Sequence, residues 1–131
     1  MILVVDPGIR GCGVALFDPN TKTLFSCSYV KNPRTEGNDV TAVLAMANAV
    51  AERFSGGFLY RTAHVVIEWP RVYTASKSKG DNNDLPPLVG VGCAVAAIIA
   101  TPSTSYFPHE WKGQITKEAT LARVHSRLSA D

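Results

Sequence analysis

The sequence predicts an α/β fold built on one mixed central sheet, in which a three-stranded antiparallel meander continues into parallel strands and helices cover the sheet. Two observations predict it. Apolar runs at residues 2–6 and 13–17 and a third at 24–30 are separated only by a glycine-bearing turn and by DPNTK, spacings that hairpins use. Beyond residue 39 the pattern changes to helical periodicity interrupted by short apolar runs, giving the order β-β-β-α-β-α-β-α.

Each element has its own warrant. ILVVD at 2–6 is a β-branched strand, and Gly13 to Phe17 begins the second after a turn with three glycines. DPNTK at 18–22 joins Asp, Pro and Asn in one turn, and LFSCSYV at 24–30 follows as the third strand. KNPRTEGND is a loop in which Asp39 is placed to cap the next segment. Val40, Val43, Leu44, Ala47, Val50, Ala51 and Phe54 recur at three and four, an amphipathic helix closed by Gly56 and Gly57. HVVIEW at 64–69 lacks alternation, which predicts a central strand covered on both faces. Residues 71–84 are a polar loop. A helix runs from about Leu85 to Ala100, with Pro86 and Pro87 in its first turn, where proline costs no hydrogen bond. Ser103 to Phe107 is a strand, and Thr116 caps a final helix.

Composition sets bounds on function. A chain of 131 residues, 46% hydrophobic and 18% charged, is one ordinary domain with a core, and not a disordered segment. The net charge of +2 is compatible with a nucleic-acid partner without requiring one. Cys12, Cys27 and Cys93 have no metal-ligand spacing, and their odd number predicts reduced thiols in the cytoplasm. LVGVGCAVAAIIA spans only 13 residues, too few for a bilayer, so no membrane partner is expected.

Two acids stand in similar places. Asp6 ends the run LVV, and Glu68 ends VVI. Ligands of α/β sheets collect at the carboxyl ends of strands, where two carboxylates would make a compact anionic pocket suited to a divalent cation. The plainer reading is that Asp-Pro-Gly is turn chemistry and Glu68 a strand-end charge.

LVVDPGIRGCGVALFD resembles the first-strand motif of the RuvC-like Holliday junction resolvases of the RNase H-like superfamily, and VVIEWPRVY resembles their second acidic motif. SKSKGDNNDLPPLVGVGCAVAAI and YFPHEWKGQITKEATLARV are similar to segments of phage and bacterial RuvC-like nucleases, most specifically in Pro-x-x-Trp-Lys-Gly-Gln-x-x-Lys from Pro108 to Lys117. The resemblance runs through nearly the whole chain in the expected order.

It implies a nuclease that hydrolyses phosphodiesters of four-way or other branched DNA with two Mg²⁺ ions, Mn²⁺ substituting. Asp6 matches the carboxylate expected to bridge the ions and Glu68 the second strand's ligand. Lys112 and Lys117 match basic positions facing the scissile phosphate. Arg71, Tyr73, Lys77 and Lys79, in and beside the loop at 71–84, are the expected DNA contacts, and Trp69 is either a stacking platform or core. A homodimer is implied, since a symmetric junction needs paired cuts. The resemblance also calls for acids on a C-terminal helix. Past residue 108 the acids are Glu110, Glu118 and Asp131; the first two lie where the family places no ligand, which leaves Asp131, and the sequence reads as ending before that helix. A non-catalytic protein of the same fold that binds junctions is the alternative.

Overall fold

The computed structural model describes residues 1–34, 36–54, 61–71 and 84–112, together with 116, 118, 119, 121, 122 and 126. Five strands, β1 (Ile2–Asp6), β2 (Gly11–Asp18), β3 (Thr23–Lys31), β4 (His64–Glu68) and β5 (Ser103–Tyr106), form one sheet in the order β3-β2-β1-β4-β5. β1 pairs antiparallel with β2 and β2 with β3, whereas β1–β4 and β4–β5 are parallel. The expected meander and its parallel extension are both present. β2 starts two residues earlier than the sequence pattern suggests, because Gly11 and Cys12 already pair with Lys31 and Val30.

The turn between β2 and β3 is built as its residues dictate. The Asn20 N–H donates to Asp18 Oδ1 at 2.9 Å, and Lys22 takes the left-handed conformation with φ of 58°.

Helix α1 (Val40–Arg53) starts at Asp39, whose extended backbone and Oδ1, accepting the Ala42 N–H at 2.8 Å, make it the expected N-cap. Phe54 is the C-cap; Gly56 and Gly57 lie outside the described residues. Helix α2 (Leu85–Ile99) carries both prolines in its first turn and ends at Ala100, which is left-handed. Both helices cover the same sheet face, burying Leu3, Val5, Val14, Leu16, Val65 and Ile67 against Met46, Val50, Val91 and Val95. Glycines let them approach: a Cβ at Gly92 would stand 3.1 Å from Ile67, and one at Gly90 would stand 3.2 Å from Val43.

Two sequence expectations need correction. β4 alternates instead of burying both faces: Val65 and Ile67 are buried beneath the helices, while His64, Val66 and Glu68 are half-buried on the other side. Val40 and Leu44 are not core, at 73% and 47% exposure. The apolar stripe of α1 is wider than the surface the sheet offers, and Val43, Met46, Ala47 and Val50 occupy the buried part of it.

Beyond β5 a short helix, α3 (Pro108–Lys112), appears where the sequence pattern gave no helix. The Ala119 N–H donates to Thr116 Oγ1 at 3.3 Å, the expected cap, and residues 118, 119, 121, 122 and 126 are helical.

Candidate active site

Strand alternation explains why an acid ends each buried run. Leu3 and Val5 of β1 point into the core, which leaves Val4 and Asp6 on the opposite face, and Asp6 is exposed. β4 repeats the pattern, with Val66 and Glu68 on the face away from the helices. Val5 is in register with Ile67 on the parallel neighbour, so the next residues, Asp6 and Glu68, leave the two central strands side by side at their carboxyl ends. The buried valines, leucine and isoleucine fix the register, and the register sets the pair.

Both acids line a cleft of about 430 Å³ whose walls include Val4, Tyr106, Glu110 and Trp111. Both also line a second opening of about 230 Å³ bordered by Pro7, Arg71, Leu88 and Pro108. The carboxylates therefore stand between two concave spaces, one mostly apolar and one edged by a guanidinium. Glu68 is in register with Tyr106 of β5, and the ladder runs one bond further, the Trp69 N–H donating to the Tyr106 carbonyl at 2.8 Å. Half-buried Trp69 thus extends the sheet beside the site.

The turn after Asp6 is held from beneath. A Cβ on Gly8 would overlap the Gly11 carbonyl oxygen, so this position takes glycine for lack of space. The Gly8 N–H lies 3.5 Å from Cys12 Sγ, and the thiol lies 3.5 Å from the Gly8 carbonyl oxygen. Burial pushes the Cys12 thiol up from its ordinary value; the bond to Gly8 opposes this and the charge of Asp6 adds to it. Asn32 closes the turn from the other side, its amide donating to the Ile9 carbonyl at 2.8 Å and the Ala42 carbonyl at 2.9 Å. Sequence reasoning placed Asn32 in a loop and missed it; the dipeptide Asn-Pro carries no signal of a buried amide.

Comparison with solved structures agrees with this architecture. Thermus thermophilus RuvC aligns with a TM-score of 0.65 at 21% identity, over 98% of this chain and 80% of that one. T. thermophilus RuvC in complex with Holliday junction substrate aligns with a TM-score of 0.67 at 19% identity, over 98% and 78%. The yeast mitochondrial Holliday junction resolvase Ydc2 aligns with a TM-score of 0.62 at 10% identity, over 97% and 62%. The fold is RuvC-like. No protein-family model and no curated protein matches the sequence.

On this RuvC-like fold the expected site residues are distributed as follows. Asp6 and Glu68 come together. Arg71 borders the second opening, with Nη1 3.1 Å from His109 Nδ1, and the His109 ring stacks on Phe107 at 5.7 Å between centroids. Lys112 is the last residue of α3. Tyr73, Lys77, Lys79, Lys117 and Asp131 lie outside the described residues. Glu110 reaches the cleft, as sequence reasoning did not anticipate, but its Oε2 accepts the Phe107 N–H at 2.6 Å, so one oxygen serves the turn that opens α3.

The donor set suits a hard cation. Two carboxylates on adjacent strand ends supply oxygen ligands, and Mg²⁺ takes one or two carboxylates and completes its shell with water and substrate phosphate. Among the described residues no group of three His, Cys, Asp or Glu side chains is placed to hold a metal ion, so Asp6 and Glu68 are the described part of any such centre.

Proposed function

We propose that the chain is a divalent-metal-dependent endonuclease that hydrolyses phosphodiesters in four-way junctions and other branched DNA. The observation that supports it most is the juxtaposition of Asp6 and Glu68 at the carboxyl ends of neighbouring parallel strands, on a RuvC-like fold. Two carboxylates on an exposed edge, with a cleft on one side and a cation on the other, suit a phosphodiester that must be gripped, polarised and left open to water.

In this reading Asp6 and Glu68 would be ligands of Mg²⁺, or of Mn²⁺ in its place, with Asp131 the remaining acid candidate. Bound there, the metal supplies Lewis-acid polarisation of the phosphate and a more acidic water. Arg71 stands at the second opening, within reach of the strand that enters it, and neutralises phosphate charge. Lys112 and Lys117 offset the charge that grows on the phosphate oxygens during the reaction. Tyr73, Lys77 and Lys79 contact the DNA further from the cut. Phosphate contacts dominate affinity, so binding weakens steeply with salt, and branch shape is recognised in preference to base sequence.

The partner is a second copy of this chain. The outer faces of α1 and α2 form an apolar groove of about 550 Å³ that includes Val40, Leu44, Cys93 and Ala97, and an apolar surface of this kind suits a symmetric contact that sets two active sites for paired cuts. Exposed free thiols at Cys27 and Cys93 suit a reducing cytoplasm, and among the described residues no helix is long and apolar enough to cross a membrane.

The test is incubation of end-labelled four-way junction and linear duplex of matched sequence with the chain, in Mg²⁺, Mn²⁺ or EDTA. Cleavage of the junction alone, abolished by EDTA, is expected. Tight junction binding without cleavage in either metal would support a non-catalytic junction-binding protein instead.

A further inference from the structure

The two carboxylates belong to a row that crosses the sheet. Tyr29 of β3 is in register with Gly13 of β2, Gly13 with Asp6 of β1, and Glu68 of β4 with Tyr106 of β5. Residues in register across a sheet share a face. Asp6 and Glu68 are thus flanked on one side by a bare glycine and then an aromatic ring.

Nothing in the packing of the described core accounts for that ring. Tyr29 is 65% exposed on the edge strand, on the face away from α1 and α2. Its position is nevertheless specific. The phenol leans along the strand across Gly11, where a Cβ would stand 2.5 Å from Cζ and from Oη. Gly11 lacks a side chain in the one place where a side chain would displace the ring.

Gly13 completes the arrangement. A Cβ there would find, among the described residues, only Asp6, at 3.5 Å from its Cβ and 3.8 Å from Oδ2. Above Gly13 the described side chains leave open space beside the carboxylate pair, and the Tyr29 ring lies over Gly11, two residues along the same strand. Adjacent strands lie about 4.8 Å apart, so the Tyr29 backbone stands about 9.5 Å from that of Asp6. That span takes one nucleotide beside a phosphate that a divalent cation would hold at the carboxylates.

We infer that Tyr29 contacts substrate: it stacks on an unpaired DNA nucleotide adjoining the phosphate that a divalent cation would hold beside Asp6 and Glu68, while Gly13 admits the sugar–phosphate chain and Gly11 seats the ring. The inference rests on the nuclease reading and adds to it a substrate requirement, a nucleotide freed from its pair at the branch. An aromatic platform suits that requirement because every base has a π face, and stacking needs no particular sequence.

The experiment uses the 131-residue chain carrying Asp6→Asn, so that DNA stays intact, and a four-way junction with 5-iododeoxyuridine at the branch. Near-ultraviolet light links that base to an aromatic ring in contact with it. A crosslink on the peptide holding Tyr29 is expected, lost in Tyr29→Ala and kept in Tyr29→Phe. Junction affinity should fall about tenfold or more in Tyr29→Ala. It should fall in Gly11→Val as well, and stay within about twofold in Phe25→Ala, which removes the other exposed ring of the same edge strand, with melting temperatures of Tyr29→Ala and Phe25→Ala unchanged. Unchanged affinity in Tyr29→Ala, or a crosslink that maps elsewhere, overturns the assignment and leaves the nuclease reading standing. If the unsubstituted chain ignores junctions but binds a single-stranded oligonucleotide in a Tyr29-dependent way, the junction reading falls and Tyr29 keeps its role. Binding to neither overturns both.

Discussion

The side-chain amide of Asn32 donates to the carbonyl oxygen of Ala42, 2.9 Å away in the first turn of α1. The same amide donates to Ile9, and Asn32 Oδ1 accepts the Arg34 N–H at 2.9 Å, so one buried residue joins the turn after Asp6, the end of β3 and the start of α1. Asn32→Leu keeps the volume and leaves two carbonyls and an N–H without their partner. It should cost about 2–3 kcal/mol in urea unfolding, since each unsatisfied buried group costs roughly 1–3 kcal/mol and water reaches some of them. Asn32→Asp should cost at least as much, because a carboxylate has no proton to offer the two carbonyls.

Cys12 gives the fold a dependence on alkaline pH. Burial raises its thiol above the ordinary value of 9.0, so the folded chain keeps the proton where the unfolded chain releases it. The stability linked to this group is complete below that value and is lost as pH rises through it toward the folded value. Urea unfolding at pH 8 and at pH 10 should therefore show a larger loss in the unsubstituted chain than in Cys12→Ala. At pH 8 a thiol reagent should label Cys27 quickly and Cys12 only after unfolding, because Cys27 is exposed and Cys12 is buried.

If the groove between α1 and α2 is the dimer surface, Leu44→Glu should separate the protomers without unfolding them. Leu44 is 47% exposed, so the charge meets solvent in the monomer and a low-dielectric contact in the dimer. Sedimentation should show a dimer for the unsubstituted chain and a monomer for the variant, with the same far-ultraviolet circular dichroism. A monomer in both cases would remove the groove from the account.

Local chemistry was legible in the sequence, and pairing across the sheet was not. Asp39 as a cap, Pro86 and Pro87 in a first turn, the turn at Asp18 and the five strands follow from residues close together in the chain. Asp6 and Glu68 were legible as strand-end acids, and their meeting needed only that β1 and β4 be neighbours. The seating of Tyr29 on Gly11 spans 18 positions and depends on the β2–β3 register, which no local pattern encodes. Helical periodicity names the apolar residues of α1 without saying which arc meets the sheet, and Val40 and Leu44 lie on the arc that faces outward. Glu110 stands outside the motif positions expected to carry ligands, and its neighbourhood with Asp6 and Glu68 comes only from the packing of α3 beside the cleft. Tyr73, Lys77, Lys79, Lys117 and Asp131 rest on the sequence alone.

The central claim is that Asp6 and Glu68 work as one unit on a phosphodiester. Single-turnover cleavage of four-way-junction DNA in Mg²⁺, by the unsubstituted chain, Asp6→Asn, Glu68→Gln and the double variant, tests it most directly. Each single substitution should slow cleavage by at least about a hundredfold, the scale for removing one preorganised group that stabilises transition-state charge. The double variant should be no slower than the worse single variant, as groups acting together are not additive. A junction left intact by the unsubstituted chain, or cut at an unchanged rate by Asp6→Asn, would contradict the account.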